Sequence, residues 1–178
     1  MTKKLTLPAV PPGPDLQLLI APAPVQRQAA TTFVAELAQR GPVQVLDGGN
    51  RFDVLTLNRA LRQRGHPLYA ALERVQVARA FTCYQMVTLL EQSSSRGLPT
   101  LILNLLSTFA DENAPLPERF RLLETALGQL RAAARLAPVL LILHPRAEDD
   151  PFLERIREEL TAIWVFEDPK QPQQLSLL

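Results

Sequence analysis

Six short apolar runs separated by helix-like segments constrain the fold of this chain more than any other feature. The runs span residues 16–20, 43–46, 74–78, 98–106, 139–143 and 162–166. The fourth and fifth are almost continuously apolar, which is typical of strands buried on both faces. Strands that alternate with helices form a parallel sheet covered by helices on both sides. The sequence therefore predicts an α/β domain with a mostly parallel sheet.

Prolines and polar residues set the outer boundaries of this domain. Pro8, Pro11, Pro12 and Pro14 exclude a helix or a central strand, so residues 1–14 are predicted to form an extended arm. A single domain then covers residues 15–168, and a polar tail follows over 169–178. A chain of 178 residues suffices for one well-buried domain and is short for two.

Helical spacing and capping residues predict the segments between the strands. Four of the expected helices cover about residues 25–40, 68–72, 118–136 and 151–160. Two more are expected to begin after the capping residues Asp53 and Thr82, and residues 107–117 are expected to form a loop.

Charge and cysteine content exclude several classes of protein. Nineteen basic residues balance 18 acidic ones, so no overall charge indicates a nucleic acid or a membrane surface as partner. The single cysteine, Cys83, excludes an internal disulfide and a thiolate metal cluster. No apolar stretch reaches the ~18 residues of a spanning helix, and the first residues lack a signal-peptide core. We therefore expect a cytoplasmic protein.

The corner between the first strand and the first helix has the frame of a phosphate-binding loop. Residues 21–28 read Ala-Pro-Ala-Pro-Val-Gln-Arg-Gln, where such a loop reads G-x-x-x-x-G-K-[ST]. Pro22 and Pro24 have no N–H to donate to phosphate. The helix end leaves weak anion binding open, while tight nucleotide binding is not expected.

Four segments together resemble the RecA/RadA recombinase ATPase core, over about residues 16–168. The first is the corner at 21–28. The second, 45–52, is similar to the family's I-D-T-E-N-x-F segment; the third, 75–81, to V-A-R-A-(F/Y); and the fourth, 101–109, to a Walker B strand. The resemblance implies a RecA-like P-loop NTPase domain, followed by a strand that ends in the family's sensor pair.

The same resemblance places the family's working positions on residues that lack the required chemistry. The two P-loop glycines correspond to Ala21 and Gln26, the P-loop lysine to Arg27, and the hydroxyl group that holds magnesium to Gln28. The glutamate that activates water corresponds to Gly49 and the Walker B aspartate to Asn104. The sensor pair corresponds to His144 and Pro145. Phosphoryl transfer needs positioned charge, metal and a water-orienting group. The resemblance thus implies a degenerate, non-catalytic member without a nucleotide cofactor or metal.

Several further residues have a functional and a purely structural interpretation. Arg51, Arg59, Arg62 and Arg64 fit either a DNA or partner contact or the solvated face of a helix. Asp47 and Asp53 fit either a carboxylate pair or a turn and a helix cap. Cys83 is expected to pack as a small residue, and His144 to form a structural hydrogen bond.

The resemblance to recombinases, with the working residues missing, implies an accessory or regulatory protein in DNA recombination or repair whose fold provides an interaction surface. The expected partner is an active recombinase, a polymerase or a second copy of the chain, with the arm at 1–14 as a candidate strand or linker. One alternative is weak residual ATP binding through Arg27. Another is direct DNA binding through the arginines between residues 51 and 79.

Overall fold

The structure is a computed structural model that describes residues 10, 13–63, 65, 67–110, 114–144, 150–160 and 162–166. These residues form the strands β1 (Asp15–Ile20), β2 (Val43–Asp47), β3 (Val75–Arg79), β4 (Thr100–Leu103), β5 (Pro138–Leu143) and β6 (Ala162–Val165). The helices are α1 (Ala23–Ala38), α2 (Val54–Gln63), α3 (Leu68–Glu73), α4 (Cys83–Ser93), α5 (Leu116–Ala134) and α6 (Pro151–Glu159).

All strand pairs of the sheet are parallel, and the strand order is β3-β2-β4-β5-β1-β6. The register aligns Leu46, Ile102, Leu141 and Leu18 in one row across four neighbouring strands. Each of these side chains is at most 2% exposed. The continuous apolar runs therefore belong to central strands buried on both faces, and the predicted α/β architecture is confirmed.

Two hydrophobic cores lie on opposite faces of the sheet. The first helices pack on one face, where Phe33 of α1 and Leu57 of α2 meet Val45 of β2. The later helices pack on the other face, where Met86 of α4 and Leu127 of α5 are buried. This division follows from the strand order, because crossovers that run in opposite directions along a parallel sheet place their helices on opposite faces.

The strand order also creates a crevice at the carboxyl ends of the strands. β1 and β2 lead into helices on one face, whereas their neighbours β5 and β4 lead into helices on the other. The chain segments that follow these four strands therefore diverge at the carboxyl ends of the strands. In open parallel sheets, ligands bind at such points of divergence.

Several element boundaries differ by one to three residues from the sequence-based expectation, and three of them have a clear physical reason. The predicted strand over 98–106 ends at Leu103, because Asn104 has a left-handed backbone (φ 50°) and Leu105–Ser107 form a 3-10 helix. Helices α1 and α5 each begin two residues earlier than expected, with Pro24 and Pro117 inside their first turns. Proline is compatible with the first turn of a helix because the amides there have no intrahelical acceptor.

The predicted arm and tail fall largely outside the described residues. Of the arm, the structure describes Val10, Gly13 and Pro14, and Val10 packs against the core beside α1. The predicted tail over 169–178 lies wholly outside the described residues. None of the described helices has the length and apolar character needed to cross a membrane.

Candidate functional site at the strand ends

A cleft of about 170 Å³ lies where the carboxyl ends of β1, β4 and β5 meet the start of α1. Its polar lining includes Gln26, Arg27, Arg51, Asp53, Asn104 and His144. Phe52, Leu103 and Ala30 contribute apolar surface. The sequence placed the candidate nucleotide site at these strand ends, and this is where the described residues form a cleft.

A chain of hydrogen bonds between side-chain amides joins the three strand ends. Gln26 donates from Nε2 to the carbonyl oxygen of Ala21 at 2.7 Å, just after β1. Asn104 donates from Nδ2 to Oε1 of Gln26 at 3.3 Å, and its Oδ1 accepts from the backbone N–H of His144 at 3.1 Å. Gln26 and Asn104 are each 5% exposed. Neutral side-chain amides therefore occupy the base of the cleft, and they are hydrogen-bonded to each other.

The side chain of Asn104 leaves no room for a side chain at position 49. A Cβ added to Gly49 would lie 2.9 Å from Cβ of Asn104 and 3.0 Å from its Nδ2. One added to Gly48 would lie 2.9 Å from the carbonyl oxygen of Asn104 and 2.9 Å from Cε of Met86. The position that the recombinase resemblance assigns to a water-activating glutamate is therefore sterically closed in this domain.

Asp47 organises the turn between β2 and α2. Its fully buried carboxylate accepts backbone hydrogen bonds from Gly49 (3.1 Å), Arg51 (3.1 Å) and Phe52 (2.9 Å). Nε of Arg79 lies 3.7 Å from Oδ2 and supplies a positive charge. The turn interpretation of Asp47 therefore accounts for its contacts.

Asp53 caps the N-terminus of α2. Its carboxylate accepts from the backbone N–H groups of Leu55 and Thr56 and from the Thr56 hydroxyl. The Thr56 hydroxyl is the main cause that holds the pKa of Asp53 below its usual value, and nearby Arg27 contributes in the same direction. Since Asp47 and Asp53 bond to separate groups, these contacts do not form the carboxylate pair of the alternative interpretation.

The first turn of α1 offers few amides to a ligand. Pro22 is the N-cap residue and Pro24 lies in the first turn, so neither provides an N–H. The N–H of Gln26 is bonded to the carbonyl oxygen of Pro22 at 3.0 Å. Over residues 22–26, at most Ala23 and Val25 can donate. The backbone cradle of a P-loop is therefore absent from this corner.

The described arginines between residues 51 and 79 lie at different places in the fold and make different contacts. Arg74 donates to the carbonyl oxygens of Ala38 and Gln39 at the end of α1, and Arg79 faces Asp47. Arg51 lines the cleft, whereas Arg59 and Arg62 are exposed on α2, and Arg64 lies outside the described residues.

The structure brings most of the predicted nucleotide-site positions together. Ala21, Gln26, Gly49, Asn104 and His144 meet around the amide chain, and Arg27 lines the cleft. Gln28 is exposed and is not part of the lining, and Pro145 lies outside the described residues.

Sequence reasoning missed Phe52 and Ser107 as lining residues, and it missed the Gln26–Asn104 hydrogen bond. An asparagine directly after a buried strand signals a left-handed residue, which would have indicated the end of β4. Cys83, the first residue of α4, is 1% exposed and packs in the core, as expected.

No protein-family model matches the chain, and none of the curated proteins matches it either. The resemblance to recombinases therefore rests on the four sequence segments alone. Among the described residues, no group of three His, Cys, Asp or Glu side chains is placed to hold a metal ion.

Proposed function

We propose that this chain is a non-catalytic RecA-like domain that acts as an accessory or regulatory protein-interaction partner in DNA recombination or repair. The observation that carries the proposal is the amide chain through Gln26 and Asn104 at the strand ends. It occupies the positions where the resembled family keeps its glycine-rich loop and its metal-binding aspartate. An amide pair supplies neither the negative charge that holds magnesium nor a base that activates water.

The packing around Gly49 supports the same proposal. In the resembled family this position carries the glutamate that activates water, and here it admits no Cβ without displacement of Asn104 or Arg51. A glutamate at this position would therefore require the side chains of Asn104 and Arg51 to move as well.

An open sheet edge supports a protein partner. β3 is an outer strand, and Val77 on it is 37% exposed. Phe81, two residues after β3, is 67% exposed, and Tyr84, in the first turn of α4, is 49% exposed. Unpaired strand edges and exposed aromatic side chains are common features of protein-interaction surfaces. The candidate partners are an active recombinase, a polymerase or a second copy of the chain.

Two measurements test the proposal. Titration calorimetry with ATP and magnesium is expected to show no binding in the micromolar range, and micromolar affinity would contradict the non-catalytic assignment. Affinity capture from the native cells should retain a recombinase or a polymerase, or a second copy of the chain should associate with the first. A Phe81→Ser/Tyr84→Ser variant should lose that partner, whereas Leu136→Ser, which changes an exposed leucine after α5, should keep it.

Direct DNA binding is a second candidate, supported by the exposed face of α2. Arg59 and Arg62 lie one turn apart on this helix, and both are exposed without an ion pair among the described residues. Charge reversal of both arginines should abolish salt-dependent retention on DNA if this surface binds the backbone. Equal retention of the variant and the wild type would exclude this candidate.

A further inference from the structure

Two arginine side chains in the strand-end cleft form no ion pair with any other described residue. Arg27 and Arg51 both line the cleft and both are exposed. Neither forms an ion pair within the described part of the chain, in contrast to Arg79, Arg121, Arg131 and Arg155. The non-catalytic assignment gives these two guanidinium groups no role.

The described lining of the cleft carries a net positive charge at neutral pH. Among the described lining residues Asp53 is the one carboxylate, and the hydrogen bonds from Thr56 lower its pKa, so it is ionised. One negative charge therefore faces two guanidinium groups. Asp53 is also engaged in capping α2, which directs its oxygens toward backbone N–H groups.

The donors around this charge suit a small oxyanion. A guanidinium group presents a planar fork of N–H donors that matches the oxygens of a carboxylate or a phosphate. Ser107 and His144 add exposed polar side chains, and Phe52 and Leu103 add apolar surface for the body of a ligand.

The size of the cleft limits the ligand. A volume of about 170 Å³ is close to the ~150 Å³ in which a protein cavity accommodates benzene. An anionic head group on a small organic body fits this space, whereas a nucleoside would extend out of it.

We propose that this cleft binds a small carboxylate or phosphate ester through Arg27 and Arg51, without a divalent cation. Binding depends on side-chain guanidinium groups, because the prolines have removed amides from the first turn of α1. It does not require a metal, because Asn104 is neutral and Asp53 is committed to its helix cap. This inference rests on the proposed function in one respect: it assumes that the cleft does not hydrolyse a nucleotide.

The experiment is a titration of the full-length chain followed by NMR amide shifts. The probes are inorganic phosphate, glycerol 3-phosphate and malonate, each matched in ionic strength with sodium chloride. Saturable shifts are expected at Ala23 and His144 with at least one probe. Saturation by the phosphates alone identifies a phosphate ester as the ligand class, and saturation by malonate alone identifies a carboxylate. Affinity should be the same with magnesium and with EDTA.

Variants decide whether the cleft arginines carry the binding. Arg27→Gln and Arg51→Gln should each weaken the affinity about tenfold, the effect of losing one charge-assisted hydrogen bond. Arg59→Gln, which removes an exposed arginine outside the cleft lining, should leave it unchanged. Arg27→Lys should retain part of the affinity, since it keeps the charge and loses the fork. Both cleft arginines are exposed, so these variants are expected to fold.

Three results would overturn the inference: no saturable shift with any probe, equal weakening by Arg59→Gln, or a requirement for magnesium. These results differ from those that would overturn the proposed function. Micromolar binding of ATP with magnesium would reject the non-catalytic assignment, whereas failure of every small oxyanion to bind would leave that assignment intact.

Discussion

Two polar networks join elements of this domain, and they differ in burial. We group the Asp47 turn and the separate Gln26–Asn104 amide pair as the strand-end network, and these three side chains are 0%, 5% and 5% exposed. The network between α5 and α6 centres on Arg155, which pairs with Glu124, Glu158 and Glu159. The charged side chains of this second network are between 21% and 70% exposed.

This difference in burial determines how much each network contributes to stability. When one partner of a buried hydrogen bond is removed, the other has no access to water and retains its full desolvation cost. When one partner of an exposed ion pair is removed, the other is hydrated, so the loss is small. We therefore expect substitutions at the strand ends to destabilise the domain much more than substitutions between α5 and α6.

Asp47 should give the largest effect. Asp47→Ala removes the acceptor of three backbone N–H groups and the counter-charge of Arg79, so we expect it to lower the free energy of unfolding by about 3–5 kcal/mol. Urea unfolding at pH 7 measures this change. Asp47→Asn keeps one acceptor oxygen and should lose less.

Asp53 provides the control for Asp47. Its carboxylate caps a helix at the surface, so Asp53→Ala should reduce stability less than Asp47→Ala does. If the two alanine variants were equally destabilised, burial of the carboxylate would not be the reason for its importance.

Gly49 tests the close packing around Asn104. Gly49→Ala places a Cβ 2.9 Å from Cβ of Asn104, and we expect this overpacking to cost about 1–3 kcal/mol. Gly128→Ala is the matched control, since Gly128 lies in α5 and an added Cβ would meet no atom within 4 Å. That control should stabilise the domain by about 0.5–1 kcal/mol, because alanine favours helix. The same sign for both variants would disprove the steric argument.

Gln26 tests the amide chain itself. Gln26→Met keeps the length of the side chain but leaves the carbonyl oxygen of Ala21 and Nδ2 of Asn104 without this partner, at a cost of about 1–2 kcal/mol. Gln28→Met makes the same chemical change at an exposed position of α1 and should remain within about 0.5 kcal/mol of wild type. Thermal unfolding of the two variants side by side gives the comparison, and equal midpoints would show that the amide chain contributes nothing measurable.

The sequence predicted the central strands well because they are buried on both faces. Such a strand is apolar at nearly every position, as Leu18–Ile20 and Val139–Leu143 show. The same rule misplaced the end of β4. Leu105 and Leu106 are also buried, but in a 3-10 helix, and apolar character does not distinguish the two conformations.

The position of the candidate site could be predicted from the sequence, but the hydrogen bonds within the site could not. Carboxyl ends of parallel strands meet at one edge of a sheet, so Ala21, Asn104 and His144 were expected to lie close together. The bond between Gln26 and Asn104 joins residues 78 positions apart. It depends on β5 lying between β1 and β4 and on the left-handed backbone of Asn104, neither of which follows from residue types alone.

The α5–α6 network should give the smallest effect, which its pH dependence can isolate. The hydrogen bonds from Arg155 hold the pKa of Glu124 below its usual value of 4.5. A carboxyl group whose pKa is lower in the folded state contributes stability above its unfolded pKa, and this contribution disappears as the pH falls through the folded pKa. Arg155→Gln should therefore be slightly less stable than wild type at pH 7, and the difference should shrink below about pH 4.5.

Urea unfolding of both proteins from pH 7 to about pH 3 measures this convergence, and added salt at pH 7 should also reduce the difference, because exposed charges are screened. Arg121→Gln is the control, since Arg121 pairs with Glu118 one turn away on α5 and joins no second helix. If the gap between Arg155→Gln and wild type stayed constant down to pH 3, the guanidinium of Arg155 would stabilise the helix pair by packing. The contribution of the exposed network would then not depend on charge, and hydration of its ionised groups would not explain the contrast between the two regions.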